Sequence, residues 1–556
     1  MMELLETNLI SKEIEDLTID LVKVPSVNGT KGEVDISNKI YNYIKSIDYF
    51  KINEDYVWQT ELKNDRLGRK NVFAFLRGEK KRSGKTIILH GHMDTVGVDD
   101  FGQLSEYAFN PVEFERQLKN LDLPNDVRKD LDSGKWLFGR GASDMKSGDA
   151  VHLIVLKELS KKIKDIEGNI LFMSNPVEEN EHTGIIEALD VLEDLKEKYN
   201  LEYSLAINND YICPMYEGDT AKYIYTGTVG KLLPCFYIFG KETHVGQCFE
   251  GLNPDVLAGQ LINEIDLNVE LCDEYSGEYT LPPSVLKFKD LKKLYNVQTP
   301  SSAFVYFNYA VHNESPEKTM AKLKKSAVEV FDKIVSRNDK SYRAYCEKVN
   351  QKYTPIDFQP SILTYSELCK IVEKNFDGNL KKELAKYTEN LLEMNMDLRI
   401  ISLKMVEKVF KLYENKEPCI VLFFAAPYCP HNVLKDEDVT EREVIEKIEE
   451  SIDEMGKDGC MESFKMMKFF PSLSDSSYLK IDDDFEELYK LTSNFPGWGQ
   501  VYEVPLQKIK KLNIPIVNYG CYGKDAHKWT ERVYKPYSFE VLPKLILKTV
   551  DKFLNC

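Results

Sequence analysis

The chain has no Cys-x-x-Cys pair, no run of lysine or arginine, no internal repeat and no glycine-rich phosphate loop, and each absence removes a class of function. Its eleven cysteines are scattered and odd in number. They read as free thiols of a reducing compartment, with neither a disulfide framework nor a cysteine zinc site. A formal net charge of -18, with no basic run, makes nucleic acid and anionic membrane poor partners. No stretch reaches the roughly 18 apolar residues that a spanning helix needs. Met1-Met2-Glu3-Leu4-Leu5-Glu6 carries acid where a signal peptide carries positive charge, so a cytoplasmic protein is expected. At 556 residues, with 43% hydrophobic and 29% charged residues, the chain has room for two or more globular domains and a large core.

What is present gathers around Ile87-Ile88-Leu89-His90-Gly91-His92-Met93-Asp94. Thr86 to Leu89 is rich in β-branched residues, bounded by Gly84 and Gly91 and too short for a helix, so it reads as a buried strand. In open α/β sheets the carboxyl edge of such strands is where ligands bind. The two-residue spacing lets Asp94 turn back and hold the second nitrogen of His92, as a metal-ligating imidazole needs. Three further apolar runs end in the same way: Asn169 to Ser174 before Glu178-Glu179, Ser204 to Ile207 before Asp210, and Ile514 to Asn518 before His527. Asn209 and Glu217 are nearby alternatives to Asp210. Gly139, Gly141 and Gly148 flank Asp144, in a backbone that must bend sharply to present a lone acid. His90, His152, His182 and His431 read as core or surface residues, and Cys429 and Cys521 as small buried ones.

Helical periodicity over residues 3–23 puts Ile10, Ile14, Leu17 and Leu21 on one face and stops at Pro25. From Gly227 a strand, helix, strand, strand, helix order reads as a small α+β domain inserted into the sheet domain. Its clearest strands are Leu232 to Phe239 and Ala303 to Tyr309, and its last helix starts at a Ser315 cap with Pro316 and ends near Ser336. Residues 340–415 are helical and highly charged, an extra layer or lid extension without assigned chemistry. Pro418 to Tyr428 resumes strand character. The expected domains are 1–226 (catalytic, first part), 227–340 (lid), 341–415 (helical insertion) and 416–556 (catalytic, second part).

His92, Asp144, Glu179, Asp210 and His527 are imidazoles and carboxylates without thiolates, a set that suits two zinc ions and would also accept cobalt or manganese. One shared carboxylate would hold the ions roughly 3.5 to 4 Å apart. The Glu178-Glu179 pair then offers one ligand and one base for a bridging water.

The motifs Gly91-His92-Met93-Asp94, Gly141-Ala142-Ser143-Asp144-Met145-Lys146 and Glu178-Glu179, with the late His527, resemble the M20 metallopeptidase family of aminoacylases, deacetylases and di- and carboxypeptidases. The likeness runs in the right order through nearly the whole chain. It implies a zinc-peptidase-like α/β fold: a mixed sheet flanked by helices, an inserted α+β (ferredoxin-like) lid domain and here an extra helical insertion. By that resemblance Asp144 bridges, His92 and Asp210 hold one ion, Glu179 and His527 hold the other, Glu178 is the general base and Asp94 orients His92. Gly240 to His244 with Gly251-Leu252-Asn253-Pro254 looks like the lid motif, whose histidine, here His244, polarises a substrate carbonyl and stabilises the oxyanion. Where many members carry an arginine on the last lid strand, Val311-His312-Asn313-Glu314-Ser315-Pro316 stands instead. Recognition of a substrate carboxylate then passes to His312, passes to Arg399 in the insertion, or is absent. Ser474-Asp475-Ser476 resembles the family's Gly-Thr-Asp stretch that lines the active site, which makes Asp475 a substrate-binding candidate. Length, insertion and the tail from Gly523 to Val533 look most like the arginine-utilisation (RocB-type) branch, which implies a role in arginine or related amino-acid catabolism.

The expected protein is thus a two-metal hydrolase cleaving an amide or peptide bond in an N-acyl amino acid or short peptide. A dipeptidase or aminopeptidase substrate competes with a deacylase substrate. In another class, a non-catalytic metal-binding or regulatory protein on the same fold would have lost ligands or base, and none is lost here. The lid surface can pair two copies into a homodimer, or the insertion can take the partner's place.

Overall fold

The computed structural model describes residues 7–394 and 396–555, in two compact units. Met1–Thr228, Asn432–Ile481 and Pro505–Cys556 form the first unit, and Val229–His431 with Asp482–Val504 the second.

The first unit is built on an eight-stranded sheet in the order Val57–Glu61, Lys70–Arg77, Asn169–Asn175, Lys85–His92, Glu202–Asn208, Ile516–Asn518, Lys222–Tyr225, Phe464–Met467. The central four, named in chain order, are β1 (Lys85–His92), β2 (Asn169–Asn175), β3 (Glu202–Asn208) and β4 (Ile516–Asn518). They run parallel, with β1 between β2 and β3 and β4 beside β3, so their carboxyl ends share one edge. Register aligns those ends: His92 faces Asn175, His90 faces Asn208, and Asn518 faces Asn208 from the other side.

The strands read as continuous apolar runs because both faces of the sheet are covered. Ile87, Leu89, Ile170, Phe172, Leu205 and Ile207 join one core with residues of the helices Thr7–Val22, Lys146–Ser160 and Leu542–Leu554. Ile88, Leu171 and Ala206, on the opposite face, are just as buried. Each fully buried Ile or Leu contributes about 1.5–3 kcal/mol. Gly91 sets how close the helix Lys146–Ser160 comes: a Cβ there would lie 2.4 Å from Met145 Cε and 3.0 Å from Asp149 Oδ1. That close approach brings the loop carrying Asp144 to the end of β1.

The helix expected over residues 3–23 is observed as Thr7–Val22, with Ile10, Ile14, Leu17 and Leu21 buried. Its expected first residues, and the acidic Met1–Glu6 stretch, lie outside the described residues. No helix among the described residues is long and apolar enough to cross a membrane.

The second unit is an α+β layer structure. Ser284–Asp290, Ser302–Val311, Pro234–Phe239 and Cys419–Phe424 pair antiparallel, and Ile362–Thr364 adds in parallel to the last of these. The helices Pro254–Ile265 and Pro316–Val349 belong to this unit, and Ser315 caps the second of them by accepting the Lys318 N–H. Helices Tyr365–Asn375, Leu380–Glu393 and Leu398–Leu412 bury Leu368, Leu384 and Val406 in one cluster with Cys235, Tyr237, Phe304 and Phe423 of the sheet. The charged insertion is therefore a second helical layer on the sheet of its own unit.

Two expected boundaries move, and Asp482–Val504, expected in the catalytic part 416–556, belongs to the second unit. The strand at Cys419–Phe424 pairs with Pro234–Phe239, so the chain leaves the second unit at His431 rather than at 416. A continuous apolar run such as Cys-Ile-Val-Leu-Phe-Phe fits either sheet, and the sequence carries no sign of its partner. The lid helix runs to Val349 instead of ending near Ser336. Beyond Ile334 only Cys346 is buried, so the apolar stripe that marks a helix in sequence stops a turn or more early.

Candidate metal centre

The shared edge of β1 to β4 collects the side chains that the sequence singles out. His92 is the last residue of β1. Glu178 and Glu179 follow β2, Asp210 follows β3, and His527 lies in the loop beyond β4. Asp144 arrives from the loop after the short strand Trp136–Phe138, where Gly141 at φ 78° has room for no side chain against Thr95. His92 Nε2 lies 3.0 Å from Asp144 Oδ1, and His527 Nε2 lies 3.1 Å from Asp144 Oδ2 and 3.1 Å from Glu179 Oε1. Two triads result, His92, Asp144 and Asp210 on one side and Asp144, Glu179 and His527 on the other, each with donor atoms within 4.8 Å of one another. Asp144 belongs to both.

A third cluster adjoins them. Glu178, His182 and Asp475 also lie within 4.8 Å. His182 Nδ1 is 3.0 Å from Asp475 Oδ1 and 3.9 Å from Glu178 Oε1. Glu178 Oε2 is 3.9 Å from His92 Nε2, which puts this carboxylate between the first triad and the His182–Asp475 pair.

The loops that carry these groups are held by other buried carboxylates accepting backbone N–H groups. Asp94 Oδ1 accepts from Glu178 N–H at 3.1 Å, and Oδ2 accepts from Glu179 N–H at 3.1 Å and from Asn28 Nδ2 at 2.9 Å. Its own carbonyl is 3.2 Å from His92 Nδ1, nearer than its carboxylate at 3.7 Å. Asp94 thus fixes the Glu178–Glu179 backbone as well as the His92 ring. Glu33 Oε1 accepts from Val177 N–H at 3.2 Å, beside a β-branched residue held at φ 71°. Glu531 Oε1 accepts from Ser143 N–H at 3.0 Å and Asp144 N–H at 3.2 Å, while Oε2 pairs with buried Arg140 at 2.7 Å.

The electrostatics are those of crowded carboxylates out of water. Burial raises Glu178 well above the usual range, helped by Glu179 and Asp475 and opposed by His92 and His182. Burial and the neighbouring Asp144 also raise Asp210 and Glu179. Asp144 is lowered, because hydrogen bonds from His527 and His92 outweigh its burial. Burial opposes charge on His92, yet Glu178, Asp144 and Asp94 hold it well above its ordinary value. Contacts with Asp144 and Glu179 lift His527 to about 11. Four carboxyl groups crowd two imidazoles in a buried place, where ionising all four needs a further cation, and oxygen and imidazole donors of this kind fit zinc-type divalent cations.

The remaining candidates have different surroundings. His244, in the second unit, is exposed and caps a short turn, its Nδ1 accepting the Gly246 N–H at 3.0 Å. Burial pushes His312 down to about 4, and its Nδ1 lies 3.2 Å from the Glu278 carbonyl. Arg399 is engaged in a two-pronged pair with Asp397. Asp475 stands beside Glu178. His90 and His152 are core residues that burial pushes down to about 3. His182 and Glu531 are the residues that sequence reasoning missed. The spacing of His182 four positions after Glu178, and of Glu531 four after His527, is the signal that could have found them.

Comparison with known proteins gives the family and the fold. The model of Peptidase family M20/M25/M40 matches residues 88–535. Protein RocB of Bacillus subtilis (strain 168) is 39% identical over 545 residues, covering 98% of this chain and 95% of its own. A succinyl-diaminopimelate desuccinylase of Wigglesworthia glossinidia brevipalpis is 26% identical over 253 residues, 45% of this chain and 58% of that protein. Among solved structures, aminopeptidase PepT from Bacillus cereus aligns over 98% of each chain with a TM-score of 0.53 at 14% identity, a likeness of fold.

Proposed function

The chain belongs to the M20/M25/M40 peptidase family and is a metal-dependent hydrolase, and we propose that it uses two divalent ions to cleave the amide bond of an N-acyl amino acid or short peptide. The observation that carries this is the two-sided placement of Asp144, with one carboxylate oxygen beside each imidazole. His92 and Asp210 would hold one ion, Glu179 and His527 the other, with Asp144 between them. Bound there, divalent ions, zinc first by donor type, supply Lewis acidity toward a carbonyl and a water.

The chain's own groups do the rest. Glu178 takes the proton of the attacking water and passes it to the leaving nitrogen, a role that a carboxyl lifted by burial suits in both directions. Asp94 holds the backbone of Glu178 and Glu179 and abuts the His92 ring, fixing base and ligands together. His244 accepts a backbone N–H on Nδ1, so its neutral ring carries the proton on Nε2 and can donate it to a developing oxyanion. A substrate among arginine or related amino-acid derivatives is supported by the 39% identity to Protein RocB together with the resemblance of the tail and insertion to the arginine-utilisation branch.

The test is a screen of N-acyl amino acids and short peptides, arginine derivatives included, with zinc- and cobalt-loaded protein and its Glu178→Ala variant. The variant is expected to keep both ions while turnover falls by about 10²–10⁴. Retained turnover would remove Glu178 from the chemistry. Wild-type protein that takes up no metal would favour a non-catalytic role.

A further inference from the structure

The loop that carries His527 needs support that the sheet does not give. Asp525 and His527 both sit at positive φ, 57° and 64°, which costs free energy in residues with a Cβ. The His527 side chain is 50% exposed. The support comes from Arg532, which is fully buried. Its Nη1 donates to Asp525 Oδ2 at 2.5 Å and to the Thr530 carbonyl at 3.0 Å. Its Nε reaches Asp130 Oδ2 at 2.8 Å and its Nη2 reaches Asp126 Oδ2 at 3.0 Å, both on the helix Asn125–Asp132. Thr530 Oγ1 donates to the same Asp525 oxygen at 2.8 Å. Five donors in a rigid planar fork are what this task needs, since one guanidinium can tie three carboxylates and a carbonyl into one plane.

We propose that Arg532 is a positioning residue for the second ion: through Asp525 it locks the Asp525–His527 loop in the conformation that presents His527 Nε2 to Asp144 and Glu179. Its neighbour Glu531 reaches to the other side and holds the Ser143 and Asp144 N–H groups. Two adjacent residues of opposite charge therefore fix two of the three loops whose side chains make the second triad, those of Asp144 and His527, while Asp94 holds the third through the Glu179 N–H. His92, by contrast, ends a packed central strand and Asp210 follows one, and the hydrogen bonds of Arg532 go to Asp525, Thr530, Asp130 and Asp126 instead. Selectivity for one ion follows from that asymmetry.

The inference rests on His527 being a ligand of the second ion, and the experiment separates the two claims. Metal-free wild-type, His527→Ala, Asp525→Asn and Arg532→Lys proteins are titrated with cobalt(II) by calorimetry and absorption, with thermal unfolding of each recorded. Asp525→Asn keeps shape and tolerates positive φ while removing the charge that Arg532 grips, so it decides the matter if Arg532→Lys fails to fold. The expected result is two ions in wild type, and in Asp525→Asn a dissociation constant for one ion raised by roughly tenfold or more, the other unchanged. Equal constants in wild type and Asp525→Asn, or equal weakening of both ions, would overturn the clamp. Unchanged binding in His527→Ala would instead overturn the ligand assignment beneath it.

Discussion

Asp94→Asn is the most informative single change, because the role of this residue can be worked atom by atom. The carboxylate is fully buried and satisfies three donors: the N–H groups of Glu178 and Glu179 and the Asn28 amide. An asparagine has one acceptor oxygen. If its NH₂ replaces Oδ1, the Glu178 N–H loses its acceptor. If it replaces Oδ2, Asn28 can turn its own amide to present oxygen, but the Glu179 N–H is left facing a donor. Either way one buried backbone N–H is orphaned, at a cost of about 1–3 kcal/mol. The segment that shifts to relieve it carries both the base and a ligand. Metal affinity is therefore expected to fall by roughly 10–100-fold while the protein still folds. Calorimetric titration of metal-free protein with zinc, beside thermal unfolding, measures both. Wild-type affinity and wild-type turnover in Asp94→Asn would refute the reasoning.

His244→Ala should keep both ions and lose turnover by about 10²–10³, as expected for removal of one oxyanion donor, and a wild-type rate would take the lid out of the mechanism. Metal uptake should be linked to pH. Without ions, contacts with Asp144 and Glu179 raise His527 from 6.5 to about 11, and His92 is raised as well, so both rings are protonated at neutral pH. A raised folded-state value means that the stability from His527 is fully present below 6.5 and is lost as pH climbs to about 11, so the metal-free protein should weaken over that window. Ligation needs neutral imidazoles and ionised carboxylates, so metal binding at pH 7 should release one proton from each ring and a further proton from Asp210, which burial also raises, countable by calorimetry in buffers of different ionisation enthalpy, and no release would contradict these charge states.

Much of this was legible in the sequence, for a physical reason. Parallel strands covered on both faces are apolar throughout and then end abruptly in polar residues. His92, Glu178, Glu179, Asp210 and His527 are therefore legible in the sequence as strand-end groups. The partners behind them were not legible. Glu531 acts on the backbone N–H groups of Ser143 and Asp144, and an interaction with main chain leaves no pattern in residue types. His182 sits at φ 55° in the stretch Asn180-Glu181-His182, whose polarity reads as surface although the ring is buried against Asp475. Asp94 was expected to orient His92, and the structure gives its carboxylate a second task on the Glu178–Glu179 backbone. The strand Cys419–Phe424 is legible as a strand but not as part of the second unit, since its pairing with Pro234–Phe239 depends on the fold of residues far away in sequence.

The shared-aspartate centre is tested most directly by anomalous diffraction at the zinc edge from crystals of the zinc-loaded protein. Two peaks roughly 3.5–4 Å apart are expected, with Asp144 between them, His92 and Asp210 on one and Glu179 and His527 on the other. A single peak, or peaks that do not share Asp144, would contradict the two-ion site.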